Sequence, residues 1–303
     1  MKDRNQTGTI EREFLINYKP DRYERPSLTV DMLIFTVDDA KLGKSKGTFG
    51  KELKILLIKR KKPPFMEDMA LPGGFVNIEE SIQDAAYREL KEETNIENVY
   101  MEQLYTWGEV NRDPRMRVIS VSYMALVPKE GLRPIAGDDA SEAIWFVVKK
   151  RDLMECSTNK SSMLSVESED GCIKMGYIVT EYYERKGFVN TFRTEVEPIS
   201  GNETNLAFDH IHMINMALER LKNKVEYTQI AFNLLHEEFT LPELQQVYET
   251  ILGRTLYKAN FRKKILPMVI KTDNKKTNVA HRPVQYYKFN PEYYAGEIDY
   301  KEE

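Results

Sequence analysis

Residues 74–96 read Gly74-Phe-Val-Asn-Ile-Glu-Glu80-Ser-Ile-Gln-Asp-Ala-Ala-Tyr-Arg88-Glu89-Leu-Lys-Glu92-Glu93-Thr-Asn95-Ile96. Ser81 with Asp84 three residues later has the form of a capping box, so a helix starts there and runs to about Thr94. Ile82, Ala85, Ala86 and Leu90 make its apolar side. Glu89, Glu92 and Glu93 stand at i, i+3 and i+4, which gathers three carboxylates on one face. Like charges at this spacing repel unless a cation sits between them. Mg²⁺ (or Mn²⁺) is the natural counter-ion, a hard ion that prefers oxygen ligands and contacts substrate phosphates. The plain alternative is a solvated acidic face. Against it stands the order G-x5-E-x7-R-E-U-x-E-E, with U aliphatic, which fixes seven positions in twenty residues.

Outward from this segment, β-rich runs at Leu28–Val37 and Leu53–Lys59 flank a Gly/Lys stretch, Lys41–Lys51, and predict a hairpin with a long loop. Strands are expected again at Met101–Val110, Arg117–Val127 and Ala143–Val148. This gives a mixed α/β domain over 26–150, after a polar, mostly irregular arm at 1–25. Residues 151–170 are Ser/Glu-rich and read as a linker. Met175–Tyr183 and Phe188–Val196 predict a hairpin around Glu184-Arg-Lys-Gly187, so 151–204 is taken as an insert. After Asn205 the spacing becomes helical: Phe208, Ile211, Ile214 or Asn215, Leu218 and Leu221, then Leu241, Leu244, Val247, Tyr248 and Ile251.

The 303 residues are 41% hydrophobic and 30% charged, a soluble globular balance that fits one or two domains. The longest apolar run, Val118–Val127, holds two serines and is too short for a bilayer, so no membrane partner is expected. The first residues lack the apolar core of a signal peptide. Two cysteines, Cys156 and Cys172, exclude a disulfide framework and a cysteine-based zinc site; the expected compartment is a reducing cytoplasm.

A net charge of −4 hides an asymmetry. Arg254–Lys288 carries ten Lys/Arg against Asp273 alone, and Phe289–Glu303 carries five acids against one Lys. Within the basic part, Thr240-Leu-Pro-Glu243 opens a helix that Gly253 can end. Lys258–Leu266 reads as a second helix, with Phe261 and Ile265 inward and Asn260, Arg262, Lys263 and Lys264 outward. A basic hairpin follows, Val269–Thr272 and Val284–Phe289, with Lys275 and Lys276 in its turn. Helix–turn–helix then hairpin is a winged-helix order, whose second helix commonly enters the major groove of duplex DNA. A helical oligomerisation domain with a solvated basic face is the competing reading.

The acidic helix resembles the Nudix box, the signature of hydrolases acting on nucleoside diphosphates linked to another moiety. The resemblance implies an α/β/α sandwich. It makes Glu89, Glu92 and Glu93 the catalytic and metal-binding set, with the Gly73 carbonyl supporting them. Gly74, Glu80 and Arg88 are the structural positions, Glu80 and Arg88 pairing to hold the loop on the helix. The family's glycine at the helix end is Asn95 here, the next-best residue for a left-handed C-cap. Upstream, Arg60, Phe65 and Leu71-Pro-Gly-Gly-Phe75 resemble the approach to the box in ADP-ribose pyrophosphatase-like members.

Arg112, Arg115 and Arg117 place three guanidinium groups within six residues, suited to a pyrophosphate. Phe65, Tyr105 and Trp107 are candidates to stack a base, and Asp138, Asp139 and Glu142 to supply a loop acid. The C-terminal part, residues 205–290 before an acidic tail at 291–303, resembles the DNA-binding domain of NrtR-type Nudix-related transcriptional regulators. Lys258, Asn260, Arg262, Lys263, Lys264, Lys275, Lys276 and Arg282 are its expected DNA contacts. His210 and His212 read as packing or surface residues. The sequence thus predicts a homodimeric regulator that binds duplex DNA and senses ADP-ribose or a related nucleotide, with the glutamates for hydrolysis retained. The runner-up is a Mg²⁺-dependent Nudix hydrolase whose C-terminal domain only dimerises.

Overall fold

The computed structural model of the chain describes residues 3–19, 22–40, 50–95, 99–129, 140–186, 189–276 and 283–295. It opens with helix α1 (Asp3–Asn17), where polar composition predicts a mostly irregular arm. Ile10 and Phe14 share a face at i, i+4, and the Asn17 side chain donates to the Glu13 carbonyl at 2.8 Å, closing the last turn.

Strands β1 (Ser27–Asp39) and β2 (Lys51–Arg60) form the expected hairpin, with Phe35 opposite Ile55. The loop between them falls at 41–49, outside the described residues. Then come β3 (Met69–Ala70), β4 (Gly73–Phe75), helix α2 (Ile82–Thr94), β5 (Tyr100–Trp107), β6 (Val118–Leu126), β7 (Ala140–Glu155), β8 (Asn159–Ser168), β9 (Lys174–Lys186) and β10 (Val189–Pro198). They make one sheet in the order β10-β9-β8-β7-β2-β1-β6-β5, with β3 on β2 and β4 on β1. The β1–β6 pair is parallel.

The linker predicted at 151–170 is instead the end of β7 and all of β8. Every second residue of β8, Ser162, Leu164, Val166 and Ser168, is buried. Alternation is the strand signal, and serines at two inward positions disguise it as polar loop. A boundary at 150 therefore cuts β7, and β8–β10 continue the same sheet. The β9–β10 hairpin forms as predicted, but pairing persists to Lys186 opposite Val189. Residues 184–186, expected in the turn, are thus part of the ladder, and 187–188 lie outside the described residues.

One face of the sheet is covered by α2, whose Ala85, Ala86 and Leu90 pack against Met32, Leu56 and Val121. The other face, with Leu33, Phe35, Ile55 and Phe146, is covered by α3 (His210–Tyr227) through Ile211, Ile214 and Leu221. This is the α/β/α sandwich. α3 starts at His210 rather than near 205, because Phe208 stands at φ 54, outside helical space.

The C-terminal module is built as its caps predict. In α4 (Leu241–Leu252) the Glu243 amide donates to Thr240 Oγ1 at 3.3 Å and the Thr240 amide to Glu243 Oε2 at 2.8 Å. Gly253 ends it at φ 66, the left-handed region that glycine enters freely. After α5 (Lys258–Ile265) and a short 3-10 turn through Pro267, β12 (Val269–Lys276) and β13 (Val284–Phe289) form the wing. A two-residue strand that sequence reading misses, β11 (Phe239–Thr240), pairs with β13, and α6 (Pro291–Ala295) follows. One hydrophobic cluster runs without a break from Leu33 and Ile55 in the sheet through Ile214 in α3 to Val247, Ile251 and Phe261. Among the described residues no helix is long and apolar enough to cross a membrane.

Candidate functional site

The acidic helix is held at both ends by its own sequence. Ser81 caps the start, its hydroxyl accepting from the Asp84 amide at 3.1 Å. Asn95 caps the end at φ 55, its N–H donating to the Lys91 carbonyl at 2.8 Å. The missing glycine is thus replaced with the same backbone conformation.

Arg88 organises the segment. Its guanidinium grips Glu80 through Nε (3.1 Å) and Nη2 (2.8 Å), and Nη2 also reaches the Phe75 carbonyl (3.2 Å). Glu80 accepts further bonds from the backbone and side chain of Asn77. The pairing predicted for Glu80 and Arg88 is present as a two-pronged bridge. The Arg88 fork, helped by the Asn77 amide, pulls the Glu80 carboxyl down to about 2. A depressed acid stabilises the fold above its unfolded-state value and loses that contribution as pH falls through the folded one. The denaturation midpoint of wild type should therefore exceed that of Glu80→Gln at pH 6, and the gap should close as pH falls from 4.5 toward 2. A gap that does not depend on pH would refute the bridge.

The same Arg88 Nη1 donates to Glu89 Oε1 at 2.7 Å and Glu92 Oε2 at 3.4 Å, so both carboxylates converge on one cationic nitrogen. Glu89 is buried, and burial raises its pKa against the pull of Arg88. It fits because residue 74 has no side chain: a Cβ there would stand 2.9 Å from Glu89 Cδ and overlap Oε1. Gly73, opposite Asp31 in the β1–β4 pair, is equally tight; its Cβ would strike the Val30 carbonyl. Glu93 lies on α2, its side chain outside those described. Among the described residues no group of three or more His, Cys, Asp or Glu is placed to hold a metal ion by itself. The Glu89–Glu92 pair, offering only carboxyl oxygens, fits a hard divalent ion in donor type.

The expected ligand residues separate. Arg60, Phe65 and Arg115 converge on Phe208, a residue sequence reading takes only as helix packing. Arg60 lies 5.0 Å and Arg115 5.9 Å from its ring centre, and Phe65 meets it edge to face at 4.8 Å. Arg115 also stands 5.9 Å from the Phe75 ring and pairs with Asp113 at 2.8 Å.

Arg112 goes elsewhere. Its side chain is 4% exposed and forks onto Asp209 at 2.9 and 2.7 Å, with Asp31 at 3.6 Å. It is committed to a buried ion pair, which corrects the expectation that it faces a pyrophosphate. Burial lowers its pKa, but Asp209 and Asp31 outweigh this and raise it overall. Arg117 is exposed and donates to the Glu109 carbonyl at 2.8 Å. Tyr105 and Trp107 pack on each other at 5.0 Å, and Trp107 donates to Ser122. Glu142 is exposed; Asp138 and Asp139 lie outside the described residues.

Asp31, Asp209 and His210 also escape sequence reading as a group. His210 is buried, takes the Leu71 amide on Nδ1 at 2.9 Å, and faces Asp31 Oδ1 at 3.5 Å across Nε2; burial lowers its pKa. Asp31 also accepts from Ser120. The one available hint was a charge inside the apolar run Leu28–Val37.

On α5, Phe261 and Ile265 are buried while Lys258, Asn260, Arg262 and Lys263 are exposed, as predicted. Lys264 is tethered: its Nζ donates at 2.6 Å to the Glu226 carbonyl in the last turn of α3. Lys275 is exposed but sits in β12 opposite Gln285 rather than in the turn, since β12 runs to Lys276, past the predicted end at Thr272. Lys276 pairs with Val284 in the same ladder, its side chain outside those described. Arg282 lies outside the described residues.

Two family descriptions match: the NUDIX domain over residues 47–158 and the NrtR DNA-binding winged helix domain over 231–289. The chain is 31% identical over 283 residues to the ADPR responsive transcriptional repressor NtrR of Acinetobacter baylyi, covering 92% of this chain and 88% of that protein. Among solved structures, a MutT/nudix family protein from Enterococcus faecalis shares 29% identity with a TM-score of 0.65, covering 93% of each chain. Shewanella oneidensis NrtR complexed with a 27mer DNA shares 27% identity with a TM-score of 0.56, covering 88% of this chain and 95% of that one. With a Nudix sandwich carrying the box and a winged helix of matching type behind it, the chain belongs to the NrtR family of Nudix-related transcriptional regulators.

Proposed function

We propose that this chain acts in the cytoplasm as a homodimeric transcriptional regulator, its winged helix holding duplex DNA and its Nudix domain binding ADP-ribose or a closely related nucleotide. The observation that carries the reading is the division of α5 into a buried face, Phe261 and Ile265, and an exposed face with Lys258, Arg262 and Lys263. Such a helix can lie in a major groove with its cations on phosphates and one or two side chains on base edges. Lys275 on the wing would add a phosphate contact, and Asn260, Lys276 and Arg282 complete the proposed surface. The exposed Ile10, Phe14, Leu15 and Ile16 of α1 support self-association.

Binding to duplex should weaken with salt, log K falling by about 0.9 per neutralised phosphate for each unit of log salt. Lys263→Ala should reduce that slope by about one. Lys264→Ala should leave the slope nearly unchanged, because its ammonium already serves the end of α3. Fluorescence anisotropy from 50 to 300 mM salt (about that range) reads both. A chain that binds no duplex at low salt would leave only the hydrolase.

For the ligand site, Arg60, Phe65, Arg115 and Arg117 are the proposed contacts. Glu89, Glu92 and Glu93, with the Gly73 carbonyl, are the proposed holders of Mg²⁺ (or Mn²⁺). When bound, such an ion polarises phosphate oxygens and makes a bound water more acidic. Arg88 keeps the Glu80 loop seated and fixes the direction of Glu89. Because Glu89 and Glu92 are retained with converging carboxylates, hydrolysis of the bound nucleotide is the second reading. Turnover of ADP-ribose that EDTA abolishes would establish it; stoichiometric binding without turnover would make the site a sensor.

A further inference from the structure

Sequence reading gives Phe208 no functional role, yet Arg60, Arg115 and Phe65 all converge on it. Its ring has the Arg60 guanidinium at 5.0 Å and that of Arg115 at 5.9 Å, with Phe65 edge-on at 4.8 Å and His210 at 5.3 Å. Phe208 stands at φ 54 and Phe65 at φ 59. Aromatic residues rarely occupy the left-handed region, and strain of this kind persists where surrounding structure imposes it, typically at ligand sites and switches. Here two such residues face each other. Phe65 remains 39% exposed and Phe75, across Arg115, 46% exposed. Three phenyl rings and two guanidinium groups thus share one patch beside the Arg88-bound loop.

That composition suits a flat ring joined to phosphates. A base stacks on an aromatic face at little cost in specificity, and guanidinium groups pair with phosphate oxygens. Phe208 is also two residues before the first residue of α3. Asp209 holds Arg112, and His210 holds the Leu71 amide in the loop leading to Gly73. At the far end of α3, Lys264 of α5 is bonded to the Glu226 carbonyl. One helix is therefore fastened to the nucleotide site at its start and to the DNA-reading helix at its finish.

We propose that Phe208 is a ligand-contact residue, its edge-to-face pair with Phe65 forming the aromatic wall against which the base of a nucleoside diphosphate packs, and that it passes its occupancy to the start of α3. The inference rests on the nucleotide reading above and assigns the residue through which that site bears on the connecting helix. Movement of the Phe208 ring needs rotation of a backbone that leads directly into Asp209 and His210. A ligand that fixes the ring fixes the first turn of α3 as well.

The test uses the full-length chain with ADP-ribose and inorganic pyrophosphate as probes. Calorimetry on Phe208→Ala should show ADP-ribose affinity reduced ten-fold or more, while pyrophosphate affinity stays within two-fold of wild type. Phe208→Tyr, which keeps the ring, should restore ADP-ribose affinity. Hydrogen exchange supplies the second readout. Saturating ADP-ribose should slow exchange across 210–214 in wild type and should fail to do so in Phe208→Ala at equal saturation. Equal ADP-ribose affinity in wild type and Phe208→Ala overturns the inference, as does an equal loss for both probes, which would report general damage. Wild type that binds no ADP-ribose at all is a different result and defeats the nucleotide reading beneath it.

Discussion

Replacing Arg112 by Ala should cost about 3–5 kcal/mol of folding stability, the range for removing one partner of a buried ion pair. The loss comes mainly from what is left behind. Asp209 would lose both prongs of a guanidinium bonded at 2.9 and 2.7 Å, and Asp31 the cation 3.6 Å away. Their side chains are only 18% and 12% exposed, so water replaces the cation poorly. Removing both charges together should hurt much less: Arg112→Met with Asp209→Leu exchanges the pair for apolar bulk. A double-mutant cycle by urea unfolding measures the coupling directly. A single-mutant loss below about 1 kcal/mol would mean that the pair is effectively solvated.

The second large effect should come from a single methyl group. Gly74→Ala puts a Cβ where the Glu89 carboxylate lies, with Oε1 in overlap and Cδ at 2.9 Å. The β1–β4 pairing through Val30 and Gly74 and the packing of Leu90 leave neither backbone free to retreat. Glu89 must swing away, breaking its 2.7 Å bond to Arg88. Misplacement of a catalytic or metal-binding group by about 1 Å commonly costs about 100-fold. Mn²⁺ affinity by electron paramagnetic resonance, together with any ADP-ribose turnover, should fall by that order, while circular dichroism of the folded chain stays unchanged. Unaltered Mn²⁺ binding would mean that Glu89 is no ligand.

Legibility of the chain follows the range over which its signals act. The caps at Ser81, Asn95, Thr240 and Gly253 are visible in sequence because each is satisfied within four residues, and all four form. The inward face of α5 is visible for the same reason. β8 is hidden because Ser162 and Ser168 occupy buried positions that pattern reading expects to be apolar. Arg112 is misread because a run of arginines looks alike from the sequence, and its partner Asp209 lies 97 residues away. Phe208 is missed for a related reason. Spacing places it on the apolar stripe of a helix, whereas a positive φ and contacts with Arg60, Phe65 and Arg115 from distant segments give it another position. Local chemistry can be read along the chain; convergence of distant residues has to be seen in space.

The unbroken apolar cluster from the sheet through α3 to α4 and α5 bears on how the two modules could have come together. Cores that are separate melt separately, and a cassette joined by a linker can be cut out and moved. Here Ile214 and Leu221 of α3 are shared property, and Thr250 of α4 is bonded to the Lys51 carbonyl of β2 at 3.2 Å. Calorimetric heating should accordingly give one endotherm, with the measured enthalpy matching the van't Hoff value. Grafting this winged helix onto another Nudix sandwich would strip Val247 and Ile251 of their lining, so α3 has to travel with the module for a transplant to fold.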